Sequence, residues 1–233
     1  MNPIFSSVAR IRSALAAASL VGLCAAPAGA ITVAPGGGPV ALLGTTAAAW
    51  PDLAGGILED VVTTWVSADD PTYGFPGAEG HLQSRVVRSS STGRLDFYWR
   101  VTANVASYPA FIPLQLNLSQ LVLANFLTGA GFDADYRLDG VGSEPPMDGV
   151  SADGSRFSFE FANNSFGPGE SSYFLLLHSN AIDYDSSALA RLGETTVSTF
   201  APLAAVPEPS TYAFLLAGLV GIAAWRRRDL RAD

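Results

Sequence analysis

Hydrophobic and polar positions alternate with a period of two through the middle of this chain. In Arg94-Leu95-Asp96-Phe97-Tyr98-Trp99-Arg100-Val101-Thr102-Ala103, the residues Leu95, Phe97, Trp99, Val101 and Ala103 share one face, and Asp96, Tyr98, Arg100 and Thr102 share the other. Successive strand side chains point to opposite sides, so the pattern predicts a half-buried strand with Tyr98 on the solvent side. Leu114 to Leu118 and Phe157 to Phe161 repeat it. Ile57 to Val66, Leu82 to Val87, Ser172 to His178 and Thr195 to Phe200 are rich in β-branched and aromatic residues. Breakers separate these runs: Asp69-Asp70-Pro71, Ser89 to Gly93, Tyr108-Pro109, Asp139 to Gly154 and Gly167-Pro168-Gly169. Seven or eight short strands with this punctuation predict a mainly β protein, a single antiparallel β-sandwich (jelly-roll-like) domain with one wet face per sheet. Only Ser186 to Leu192 suggests a helical turn or two in the body.

The two ends break the pattern. Arg10 and Arg12 precede an Ala/Leu/Val run from Ser13 to Ala26, then Pro27 and the small-x-small site Ala28-Gly29-Ala30. This is the layout of a secretory signal peptide cleaved after Ala30. A lipoprotein reading of Cys24 is disfavoured by Leu23, which stands where a small residue is needed. At the other end, an uncharged apolar run from Tyr212 to Trp225 stops at Arg226, Arg227 and Arg228. A helix of about 14 to 16 residues spans roughly 21–24 Å. That is short of a hydrocarbon core of about 30 Å, a gap that thinning and snorkelling by Trp225 and Arg226 close. The three arginines favour the cytoplasmic side, and Pro207 and Pro209 uncouple the helix from the body. The division is a signal peptide over 1–30, an ectodomain over 31–205 and a sorting tail over 206–233.

Val206-Pro207-Glu208-Pro209-Ser210-Thr211, the apolar helix and the arginine stop together resemble the PEP-CTERM sorting signal of exosortase substrates. The resemblance covers about 28 of the 233 residues. It implies export machinery and an integral-membrane exosortase as partners, with transient residence in the inner membrane through the C-terminal helix. It implies cleavage near Pro207-Glu208-Pro209, then relocation to the cell surface or outside, in bacteria that often make exopolysaccharide. The same tail occurs on some ice-binding proteins, but no flat, regular threonine array is visible here. The body is similar to a recurring type of PEP-CTERM cargo of unassigned function, at Pro51-Asp52-Leu53-Ala54-Gly55, Gly93 to Trp99, Gly167 to Ser172 and Leu176 to Ala181. A shared sorting signal carries no activity with it.

Composition narrows the partners. The body has 18 acidic residues against 7 arginines, a net charge of −11, and the chain has no lysine. Such acidity argues against nucleic acid or an anionic polymer as partner. With Cys24 gone, the mature chain has no disulfide and no thiolate chemistry. There is no G-x-S-x-G elbow, H-E-x-x-H or P-loop, and both histidines, His81 and His178, read as structural. We therefore expect no enzyme and no cofactor. Asp133-x-Asp135-x-x-x-Asp139-Gly140 with Glu144 loosely resembles a calcium loop, although Arg137 occupies a ligand position and Leu138 the turn position. Trp65, Tyr73, Phe75, Tyr98 and Trp99 are the aromatics available for stacking on a sugar, with Trp99 on the core face. The leading expectation is a non-enzymatic structural or adhesive protein associated with exopolysaccharide. A carbohydrate-binding module comes next, then a polysaccharide hydrolase using paired carboxylates.

Overall fold

The computed structural model describes residues 30–66, 79–104, 118–126, 132–151, 155–162, 166, 169–203, 215 and 217–219. Among the described residues, twelve strands, numbered in chain order, form two six-stranded sheets. Sheet A runs β1 (Ile31–Val33), β7 (Phe132–Arg137), β10 (Phe174–His178), β5 (Leu95–Ala103), β4 (Glu79–Ser89), β3 (Gly55–Val66). Sheet B runs β12 (Thr195–Pro202), β11 (Tyr184–Leu192), β6 (Gln120–Ala124), β9 (Phe157–Glu160), β8 (Asp148–Ser151), β2 (Val40–Ala41). Every strand pair is antiparallel. The protein is a mainly β sandwich, as the alternation predicts. The surplus over seven or eight strands comes from elements such as Val40–Ala41 and Asp148–Gly149-Val150-Ser151, too short to show a period.

The core lies between the sheets. Phe97, Trp99 and Val101 of β5 meet Leu121 and Leu123 of β6, Phe157 and Phe159 of β9, and Phe126 between them. Phe126 stands edge-on to both Phe97 and Trp99, at centroid distances of 5.3 and 5.6 Å. One polar thread crosses this core. Trp99 Nε1 donates to Thr199 Oγ1 at 2.7 Å, and Thr199 Oγ1 donates to Ser84 Oγ at 2.9 Å, tying β5 and β4 to β12. The indole is buried without a desolvation penalty because its donor is satisfied. Gly80 belongs to the same packing: a Cβ there would lie 2.0 Å from the Thr102 carbonyl and 2.6 Å from the Trp65 ring.

Three sequence expectations change. Ser186 to Leu192 is strand rather than helix. Ala188, Ala190 and Leu192 are buried while Leu189 and Arg191 are not, a period of two. A bulge between Asp185 and Ala188 hides that period at its start, where Ser187 N and Oγ both donate to Asp185 Oδ1. Next, Tyr98 is not on a solvent side. It is 2 % exposed and, with Val87, Phe174, Leu176 and Leu53, forms a second small core on the outer face of sheet A. The chain between β2 and β3, with its 3-10 turn Pro51–Leu53, lies over that face and covers part of it. Finally, Asp133 and Asp135 sit on β7 and not in a loop. Of Leu114 to Leu118 only Leu118 is among the described residues, and it is buried. Residues 1–29 of the expected signal peptide (1–30), together with Pro207, Glu208, Pro209 and Arg226, Arg227, Arg228, also lie outside them. Leu215, Ala217, Gly218 and Leu219 are helical. No helix among the described residues is long and apolar enough to cross a membrane.

Candidate functional site

The pairing register lines up the polar side of sheet A in rows. Thr32, Asp133, His178, Asp96 and Val87 form one row across β1, β7, β10, β5 and β4. Asp135, Leu176, Tyr98, Arg85 and Asp60 form the next. Arg137 and Phe174 pair in the third, which Arg100 and Gln83 continue. The strand period that sends Phe97, Trp99 and Val101 inward therefore gathers nearly all the ionisable chemistry of the sheet on one face.

In the first row His178 Nδ1 and Asp96 Oδ1 are 2.5 Å apart. Asp96 is completely buried, and its Oδ2 has no hydrogen-bond partner among the described residues. Burial pushes the Asp96 carboxyl up, against the pull of His178. Burial works against a charged His178, but the Asp96 hydrogen bond and charge outweigh it and raise the imidazole pKa. Trp50 packs edge-on against the imidazole at 5.0 Å. The pair has the His–Asp half of a triad, and the described contacts give His178 no hydroxyl partner. His81 is on β4 within 3.3 Å of Thr64 Oγ1.

The second and third rows hold three guanidiniums around two rings. Arg85 and Arg100 lie 4.7 and 5.1 Å from the Phe174 centroid, and Arg137 lies 5.9 Å from that of Tyr98. Arg85 pairs with Asp60 at 2.7 Å, and Arg137 grips Asp139 through Nε at 2.5 Å and Nη2 at 2.8 Å. Arg85, Val87, Tyr98, Arg137, Gly140 and Phe174, with Asp139, line a cavity of about 180 Å³. Burial raises the Tyr98 phenol pKa further, assisted by the charge of Asp96, so this hydroxyl stays protonated. A broader trough of about 320 Å³ lies on the outer face of sheet B, between Val122, Ser158, Leu189 and Arg191.

The carboxylates of the loose calcium pattern take separate places in the structure. Asp135 is buried and takes the backbone N–H of Gly44 at 2.7 Å. Asp139 is held by Arg137 and also accepts from Ala47 N at 2.9 Å, while Asp133 accepts from Thr32 Oγ1 at 2.5 Å. Glu144 lies beside Ser172, and burial and the charge of Glu170 raise its pKa. Each carboxylate has a structural partner, and no group of three or more possible ligands converges among the described residues. The stacking aromatics divide similarly. Trp65, Tyr98 and Trp99 are buried, and Tyr73 and Phe75 lie outside the described residues. The arginine cluster was not legible in advance, because Arg85 and Arg100 share the β4–β5 hairpin while Arg137 comes from β7, and only the strand order, with β10 between β7 and β5, brings them together.

The fold defines a two-sheet β-sandwich whose outer faces, rather than its filled core, are left for recognition. Residues 205–228 match the PEP-CTERM protein-sorting motif, and the chain is thereby an exported protein sorted by an exosortase through the membrane to the cell surface. No curated protein and no solved structure matches the chain.

Proposed function

We propose that this protein is a component of the cell surface or extracellular matrix with a non-enzymatic structural or adhesive role, associated with exopolysaccharide. The sorting motif at residues 205–228 carries the reading, because it implies export to the cell surface, where exopolysaccharide would be met. The signal peptide over 1–30 and the membrane-held helix before Arg226, Arg227 and Arg228 belong to the same proposal. Strand pairing from end to end and a core filled by aromatic rings suit a durable module that presents two broad faces. In this reading His178 and Asp96 hold β10 to β5 and catalyse nothing. The test is fractionation of the native host with and without exopolysaccharide synthesis. The protein should sit in the matrix when polymer is made and pass to the medium when it is not. Equal partition in both strains would overturn the association. Turnover of any polysaccharide, abolished by Asp96→Asn in a folded variant, would overturn the non-enzymatic role.

A carbohydrate-binding module is the second reading, favoured by the cavity between Arg85, Tyr98, Arg137 and Phe174 on the outer face of sheet A.

A further inference from the structure

We propose that the cavity on sheet A binds an oxyanion carried on a sugar, either a uronate carboxylate or a sulfate ester, so that the protein grips the charged substituents of an anionic polysaccharide. This rests on the exopolysaccharide-associated role above and names the chemistry that serves it.

Charge placement is the first support. The body carries 7 arginines, no lysine and 18 acidic residues, yet three of those arginines meet on one small area. Gathering like charges is unfavourable, and here the effect is visible: burial and then the neighbouring Arg85 lower the pKa of Arg100. Two carboxylates, Asp60 and Asp139, are hydrogen-bonded into the cluster. Arg100 has no carboxylate among its described hydrogen bonds or ion pairs, and it stacks on Phe174, which lines the cavity.

Donor geometry is the second. Asp139 engages Nε and Nη2 of Arg137, and Nη1 makes only two long contacts, donating to the Leu53 carbonyl and to the Tyr98 hydroxyl at 3.5 Å each. Arg85 gives Nη2 to Asp60. Tyr98 is 2 % exposed, lines the cavity and accepts from Arg137, while the Nε donors of Arg85 and Arg100 are buried with no partner among the described residues. A buried donor without an acceptor is costly, and an oxyanion in the cavity would relieve it. The guanidiniums are already fixed against Phe174 and Tyr98, so little further ordering is needed on binding. A cavity of about 180 Å³ accommodates the charged end of a sugar residue rather than a whole drug-sized ligand.

The net charge of −11 argued against an anionic polymer, and this local arrangement reverses that conclusion. At physiological salt, charges more than about 8 Å away are largely screened. The guanidiniums and the phenol at the cavity wall then decide binding, and the distant carboxylates only slow approach.

The experiment is calorimetric titration of the mature ectodomain with oligogalacturonate, with dextran sulfate and with neutral dextran. Saturable binding of either anionic probe and none of dextran is expected, and the probe that binds identifies the source of the oxyanion. Arg137→Gln and Arg85→Gln should each weaken binding at least tenfold. Tyr98→Phe, which keeps the ring in place, should weaken it several-fold without changing the thermal midpoint by more than a few degrees. Arg191→Gln on sheet B should bind like the parent. Failure of the folded protein to bind either anionic probe would overturn the proposal, as would anionic binding unchanged in both Arg137→Gln and Tyr98→Phe. Saturable binding of neutral dextran alone would overturn the oxyanion assignment while leaving the matrix association standing.

Discussion

Asp96 and His178 hold each other across β5 and β10, and the cost of separating them follows from where each one sits. Asp96 is completely buried with one oxygen already unpartnered among the described residues, so removing the imidazole leaves a buried carboxylate with nothing to balance it. Breaking such a pair from one side costs about 3–5 kcal/mol. His178→Gln should lose stability on this scale in urea unfolding, and adding Asp96→Asn should restore part of it. A simple additive loss in the double variant would show that the two do not interact. The pair also sets a pH dependence. Both pKa values are raised, so the folded chain holds protons at pH values where the unfolded chain has released them. Folding then takes up protons, and the stability the pair supplies is full at low pH and falls as pH rises through the raised values. The urea midpoint should decline as pH rises through the raised His178 value, above the ordinary imidazole range of about 6.5. The double variant Asp96→Asn, His178→Gln should be flatter. A steeper decline in the double variant would contradict this origin. His178→Gln alone is a poor control, because the lone Asp96 carboxyl would then be pushed up further.

At the scale of the element, strands declare themselves in proportion to their exposure on one side. β5, β9 and β10 were legible because Leu95 to Ala103, Phe157 to Glu160 and Phe174 to His178 carry apolar residues that the opposite sheet or its flank buries. β3 was legible as strand but its setting was not. Ile57, Leu58, Val61, Val62 and Val66 look like core and are exposed, because β3 is the edge of sheet A and sheet B barely reaches it. Leu58 is the extra residue of a bulge between Ile57 and Glu59. Bulges break up the flat edge that would otherwise pair with another chain. The Asp-rich run from Asp133 misled for a related reason. Asp135 faces outward on β7, but the segment crossing from β2 covers it and supplies the Gly44 N–H it needs. Gly44 has φ +78°, and a Cβ there would lie 2.7 Å from the Tyr136 ring. Gly44→Ala should therefore lift this segment off sheet A and cost more than about 1 kcal/mol. Amide exchange should quicken in residues 42–54 before the rest of the sheet. Uniform exchange across sheet A in that variant would contradict the covering role.

For the whole molecule, the chain's destination was the most legible property and its binding chemistry the least. The tail from Val206 to Arg228 is contiguous, so a motif, an apolar run and a basic stop can be read in order. The cavity on sheet A is assembled from β4, β5, β7 and β10, and no local pattern announces it. Trp99 shows the coupling between the two sheets. Trp99→Phe deletes the donor to Thr199 and should cost about 1–3 kcal/mol, with β12 losing protection. Replacing Pro207-Glu208-Pro209 by alanines should leave the ectodomain fold intact and the protein uncut in the membrane fraction. Normal release of that variant would contradict recognition of the motif. The most direct measurement of the central claim is the intact mass of the mature protein from its native host, with and without the exosortase. The account predicts a chain that starts at Ile31 and ends near Pro207-Glu208-Pro209 only when the exosortase is present. A chain that keeps Arg226 to Asp233 in both strains would contradict it.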